Sequence, residues 1–272
     1  MKRFSPKLQG HALGESIQQC LNSILKWMNE YFRRLNQDKT KILVIAPNSV
    51  QREIIIRGVF INNSCIRFVD SAKNLGFVLD SELSFSDQVN KIVKSSFMVI
   101  RKLSSIKHYL SVEQLKVLIC SYIFLRIDYC NALYYGLNQS SLNKLQHVQN
   151  CAARLIQSKQ LTHLDEVFSK NHWLKIRERI LFKILLIVHK CIYQKAPASL
   201  CEFITFGDSD RSKALRETKV KTKYGDWAFS HAGHKLWNFL PQPIRNQECT
   251  EKFKKMLKSF LIIIGHNFSL EI

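Results

Sequence analysis

Residues 27–46 read WMNEYFRRLNQDKTKILVIA: an aromatic helix end, a polar turn carrying Lys39, and a short apolar strand from Ile42 to Ala46. Upstream, Ile17, Leu21, Ile24, Leu25 and Met28 recur at helical spacing, which predicts a helix over 14–34. Downstream, β-branched runs at 42–45, 54–56, 59–61 and 66–69 alternate with the turn formers Pro47-Asn48-Ser49, Gly58 and Asn62-Asn63-Ser64. Lys73–Asp80, KNLGFVLD, reads as one more strand, with Gly76 letting the backbone pass close to a neighbour.

From Ser84 the period turns helical. Ser84 is the expected cap of a helix bearing Val89, Ile92, Phe97 and Leu103, and Ser111 with Gln114 forms a capping box for the next. Leu115–Tyr135 is apolar nearly all round, which predicts a central helix covered on every side. Further helices are expected around 142–155 and 180–192, after Pro197, and from Phe253 to Leu261, with 207–224 an exposed charged loop. The fold class is therefore α+β: a short helix and strands over 1–83, a mostly α-helical domain over 84–206, and a basic loop with an aromatic and helical segment over 207–272.

The 41 Lys and Arg against 21 Asp and Glu give a net charge of +20, which points to a polyanionic partner. Of these, 12 basic and 7 acidic residues precede Ser86, so the excess lies in the helical part. Eight cysteines without a C-x-x-C, and no apolar leader after Met1, predict reduced thiols in a cytoplasmic or nuclear protein that is not secreted. No apolar run is long enough for a membrane partner.

The order of short motifs resembles the reverse transcriptases of non-LTR retrotransposons, the jockey and CR1-like LINE elements. Trp27, Leu35, Asn36, Lys39 and Thr40 match their W-x-x-x-N-x-L-x-L-N-x-x-K-T segment, with Tyr31 where the family has its first asparagine. Leu75, Gly76, Leu79 and Asp80 are similar to k-x-L-G-v-x-L-D, Asp128, Tyr129 and Asn131 to l-D-Y-x-N, and Leu145, Gln149, Asn150 and Arg154 to L-x-x-x-Q-N-x-A-x-R. Arg179, Phe182 and Lys183, then Ala196-Pro197, then Trp237-Asn238, Pro241 and Arg245 extend the series. The resemblance implies the edge of a polymerase palm followed by a thumb-like helical domain. It also implies that the catalytic acidic dyad belongs upstream of Met1, so that the fragment is truncated and polymerase-inactive. Mg²⁺ is then expected only in the full-length family enzyme, with no cofactor in this fragment.

Nucleotidyl transfer needs paired carboxylates that hold two metal ions, and the chain has no Asp-Asp. Asp165-Glu166 falls in a helix-start pattern and Asp208-Ser209-Asp210 in the polar loop. Lys39 matches the family's general acid, a remnant role without the metal site. Asp128, inside an apolar helix, calls for an arginine or helix-end partner. His231 and His234 with Cys191 and Cys201 are spaced too widely for a structural zinc site, and no glycine-rich phosphate loop is present. The candidate nucleic-acid contacts are Arg154, Arg179, Lys183 and Arg245 on helical segments, and Arg211, Lys213, Arg216, Lys219, Lys221 and Lys223 in the loop. The expected partner is primer–template-like RNA or DNA. The alternative is a helical protein-interaction scaffold without a nucleic-acid role.

Overall fold

Helix α1, Pro6–Glu30, ends where its backbone turns left-handed. Phe32 has φ 55°, the Arg33 N–H donates to the Met28 carbonyl at 2.8 Å, and the Phe32 N–H donates to the Asn29 carbonyl at 3.1 Å. Those two bonds are a Schellman closure, here with phenylalanine in the position glycine usually takes. The helix therefore stops at Glu30, short of the expected 34. This computed structural model describes residues 6–36, 39–45, 59–61, 64–66, 68–156, 163–207, 213–216, 219–220 and 222–267. The protein is α+β and divides into two compact units, Met1–Gln88 and Val89–Ile272.

In the first unit Asn36 organises the turn. Its side-chain oxygen accepts the Lys39 N–H at 3.1 Å, and its carbonyl accepts the Thr40 hydroxyl at 2.8 Å. Among the described residues of the expected strand, 42–45, the pairing is a single parallel bridge, Ile42 to Phe68, with no strand assigned. The apolar run at 54–56 lies outside the described residues. Strands β1, Val59–Ile61, and β2, Ser64–Ile66, pair antiparallel. The Gln18 side-chain amide brackets Phe60, donating to its carbonyl at 2.8 Å and accepting its N–H at 3.0 Å.

Lys73–Asp80 is a hairpin, not one strand: β3, Ser71–Asn74, pairs with β4, Phe77–Asp80. Leu75 (φ 47°) and Gly76 (φ 89°) form a two-residue turn with positive φ at both centres, the twist that suits a tight hairpin. Gly76 thus serves the turn instead of a close backbone approach. Asp80 then gathers three N–H groups, those of Glu82, Ser84 and Phe85, at 3.2, 2.8 and 2.6 Å. That carboxylate, more than the expected Ser84 cap, fixes the chain entering helix α2, Ser86–Ile106. Ile66, Phe77 and Phe85 are the buried apolar side chains described before α2.

Apart from one antiparallel bridge, Phe206 to Leu215, the described second unit is helical. Helix α3, Val112–Ile119, opens on the expected capping box: the Ser111 hydroxyl accepts the Gln114 N–H at 3.2 Å, and Gln114 reaches back to the Ser111 N–H at 2.9 Å. Leu115, Ile119, Ile123 and Ile127 are buried at every fourth position. At 3.6 residues per turn such a repeat drifts by about 40° per step. A wide π turn over Cys120–Phe124 takes up that drift before helix α4, Leu125–Asp128, resumes. The segment is not covered on every side: Val117, Tyr122, Leu125 and Tyr129 are exposed. Nor does it run to Tyr135, because Cys130 turns left-handed and Asn131–Tyr134 forms a 3₁₀ turn.

Helices α5 (Gln139–Ile156), α6 (Leu164–Lys170) and α7 (Ile176–Ile192) follow. Then come α8 (Ala198–Cys201, after Pro197 as expected), α9 (Lys223–Trp227), α10 (Phe229–Phe239), α11 (Gln242–Arg245) and α12 (Thr250–Asn267). Helix α7 is the hub, packing against α5, α10 and α12. Its Ile180, Ile184, Leu185 and Val188 are buried, as are Trp237 from α10 and Phe253, Leu257 and Leu261 from α12. The described part of the loop after 207 is pinned to this core. The Trp237 indole donates to the Lys213 carbonyl at 2.9 Å, and the Asn238 amide brackets Leu215 with two bonds of 2.8 Å. Leu215 is buried, and the loop from 207 belongs to the second compact unit. Gly136, at φ 89°, is required where it stands, since a Cβ there would overlap the Trp227 indole.

Buried His189 stacks on Phe253 at 4.0 Å and its Nε2–H donates to the Gln247 carbonyl at 2.8 Å. Burial lowers its pKa from the ordinary 6.5, helped by Lys195, Lys213 and Lys190 and opposed by the Gln247 bond. Well above pH 6.5 the imidazole is neutral folded or unfolded, and its contribution to stability is fully present. As pH falls through 6.5 toward the folded value, the unfolded chain takes up the proton first and stability declines. Urea melts between pH 7.5 and 5 should show this loss, with His189→Gln flattening the slope by up to one proton, about 1.4 kcal/mol per pH unit. Of the β3–β4 hairpin only Phe77 is buried, so amides of 71–80 should exchange at least roughly tenfold faster than those of 180–190 in hydrogen-exchange mass spectrometry.

Candidate nucleic-acid interface

Arg179, on the first turn of α7, is held from four directions. Its Nη1 donates to Asp128 Oδ2 at 2.6 Å, its Nε donates to the Leu174 carbonyl at 2.9 Å, and its guanidinium lies 4.4 Å from the centre of the Phe124 ring. Its own carbonyl accepts from Asn131 Nδ2 at 3.4 Å, and the same amide donates to Asp128 Oδ1 at 3.2 Å. Asp128 thus has the arginine partner its sequence context calls for. Gln149, fully buried on α5, adds a second donor to the Leu174 carbonyl at 2.8 Å, and Gln146 accepts the Ile176 N–H at 3.0 Å. The segment between α6 and α7 is thereby fixed where it enters α7.

That segment leaves α6 by the same device that ends α1. His172 is left-handed at φ 50°, and the Trp173 N–H returns to the Phe168 carbonyl at 2.8 Å. The closure places Trp173 edge-to-face with Phe124 at 4.7 Å. Together the π turn, this segment, α7 and α12 enclose a cavity of about 600 Å³, whose lining includes Phe124, Trp173, Arg179, Lys183 and Lys258. Lys183 follows Arg179 by one helical turn and is exposed. Lys258 comes from α12 and is half-buried; desolvation, then the charge of Arg179, pushes its ammonium below the ordinary lysine range. Cys120, on the π turn, is pushed up by burial and stays a thiol.

The other sequence-derived candidates part company. Arg154 is exposed on α5, outside this cavity. Lys213 is engaged: its Nζ donates to the Tyr193 hydroxyl at 2.8 Å, pairs with Glu248 at 3.5 Å and lies 4.7 Å over the Tyr193 ring. The Tyr193 bond holds its pKa above the usual value. Arg216 has its backbone on Thr205, and Arg245 on α11 is half-buried, its carbonyl accepting from Tyr193. Lys219 and Lys39 are exposed, Lys223 begins α9, and Arg211 and Lys221 lie outside the described residues. His234 accepts the Thr205 N–H at 3.4 Å, and His231 faces Asp226 at 3.8 Å. Among the described residues no three His, Cys, Asp or Glu side chains converge. No described helix is long and apolar enough to cross a membrane.

Sequence reading missed Lys258 and Trp173. Lys258 follows the buried Leu257, and only the arrival of α12 against α7 gives it a role. Set against family models, curated proteins and solved structures, the chain matches none of them. The Arg179–Asp128 pair is mostly shielded from solvent, with side chains 14% and 35% exposed. A double-mutant cycle with Arg179→Met and Asp128→Asn, read from denaturant melts, should give a coupling of about 1–3 kcal/mol. Coupling near zero would mean that the pair does not hold the cleft.

Proposed function

We propose that this chain binds the phosphate backbone of RNA or DNA, without reading sequence, through its helical second unit. In this reading it corresponds to the palm edge and thumb of a non-LTR retrotransposon reverse transcriptase, whose motifs run in order from Trp27 to Arg245. One observation carries the reading: its cations outnumber the carboxylates that could neutralise them. The described ion pairs occupy Lys116, Lys175, Arg179, Lys213 and Lys254, whereas Arg154 and Lys183 stand exposed on helices with no described carboxylate. Ordered helical cations lose less entropy on meeting a phosphate than loop cations do. A binder that must move along any sequence uses such contacts.

No Asp-Asp pair stands in this sequence, so nucleotide addition by these residues alone is not expected. Primer extension with Mg²⁺ or Mn²⁺ should equal a protein-free control. A second reading, a helical scaffold for another protein, is favoured by the exposed apolar row Val117, Tyr122, Leu125 and Tyr129. The salt dependence of RNA and DNA binding separates the two. Phosphate binding gives a log–log slope of about −0.7 to −0.9 per phosphate neutralised. Arg154→Gln and Lys183→Gln should each weaken all sequences alike and reduce the slope by about one. Replacing Arg211, Arg216, Lys219, Lys221 and Lys223 together should do so less per residue. Lys213 is left out because its partners make it a structural lysine. Binding as weak as that of these variants at low salt, with no slope, would hand the protein to the scaffold reading.

A further inference from the structure

We propose that the cleft between the π turn, the α6–α7 segment, α7 and α12 binds a single unpaired nucleotide, its base against Trp173 and its phosphate at Lys183 and Lys258. The inference rests on the nucleic-acid reading and gives it a second, localised site. Three features of one place carry it.

The first is size: about 600 Å³ lies within the range of roughly 300–1,000 Å³ seen for small-molecule sites. The second is an aromatic wall. Arg179 occupies one side of Phe124, and Phe124 meets Trp173 edge-to-face, so the wall is rigid before any ligand arrives. Trp173 is only half-buried, and a half-exposed indole lining a cavity is a stacking surface that any base can use.

The third feature is charge. Arg179 and Asp128 cancel, which leaves Lys183 and Lys258 lining the cleft without a described carboxylate. They stand on different helices, and both line the same space. Lys258 is partly desolvated where it stands, and an anion beside it would favour its charged form. A neutral apolar ligand would leave two amines uncompensated, and a bare phosphate would leave Trp173 and Leu186 uncovered. A nucleotide carries both parts.

A free nucleotide and a nucleotide flipped out of a strand share this chemistry. AMP, a five-residue oligoadenylate and inorganic phosphate are the three probes, titrated into the whole chain by calorimetry and by tryptophan fluorescence. AMP binding assigns a free-nucleotide site, and binding of the oligoadenylate alone assigns a strand nucleotide; either result upholds the inference. Lys183→Gln and Lys258→Gln should each weaken binding roughly tenfold, the loss expected for one charge-assisted contact. Trp173→Phe should retain stacking but lose the fluorescence response, and Lys235→Gln, exposed on α10, should change nothing. Thermal melts of each variant show whether it is folded, and Trp173→Phe keeps the test open should a lysine variant unfold. Inorganic phosphate binding as tightly as AMP, or AMP and oligoadenylate binding unaltered by Lys258→Gln, would overturn the proposal. If long RNA binds with a steep salt slope while AMP and oligoadenylate binding is unaltered by Lys258→Gln, the cleft inference fails alone. If AMP binds but long RNA and DNA do not, the backbone reading fails alone.

Discussion

The second unit depends on the way Arg179 is anchored. One guanidinium ties α4 through Asp128, the π turn through Phe124, and the α6–α7 segment through the Leu174 carbonyl. It does so from the first turn of α7, the helix against which α5, α10 and α12 also pack. An arginine suits this task because its donors lie in a planar fork that serves a carboxylate and a carbonyl at once, while its face stacks on a ring. A lysine could serve only one of these partners well. Its charge on a helix makes Arg179 a candidate phosphate contact in the sequence; its actual bonds make it a strut between these elements.

Much of this architecture was legible in the sequence, and the failures have a shared cause. Capping chemistry was readable where side chains do the work, as at Ser111 and Gln114. Helix ends were not. The chain has only nine glycines in 272 residues, and three helices close with Phe32, His172 and Gln194 in the left-handed position. The Leu75–Gly76 turn is hidden the same way, since a leucine stands where Asn or Asp would advertise it. Left-handed φ at such residues carries a strain that tertiary packing must offset, and packing is what a single sequence does not display. The four-residue repeat from Leu115 to Ile127 was in plain view, but its pitch was read as a uniform helix. A strict step of four is too long for 3.6 residues per turn, and the π turn at Cys120–Phe124 is the physical consequence.

Charge was legible in total and not in detail. A surplus of +20 says that cations are available, but not which of them are spent. Lys213 sits in the most basic stretch of the chain, yet Tyr193, Glu248 and the Trp237 indole on its carbonyl make it part of the core's edge. Lys258 is unremarkable in sequence and becomes distinctive only when α12 carries it into a half-buried position near Arg179. The same residue type therefore has opposite meanings, set by whether an acceptor is already waiting for it.

The cleft gathers several features that are each unfavourable for folding alone. A π turn gives up regular helix geometry, His172 holds a left-handed backbone, Lys258 loses solvation, and Asn131 Oδ1 lacks a donor. Spread over a domain, such exceptions would be ordinary scatter. Here all four belong to residues that line a single cavity. A hydrophobic residue at 258 and a simple helix through 120 would suit the core better, because neither a desolvated ammonium nor a widened turn adds packing. Concentrated departures of this kind are expected where a surface is shaped for something other than folding. The sharpest departures from good packing thus gather around one cleft, at the π turn, His172, Lys258 and Asn131.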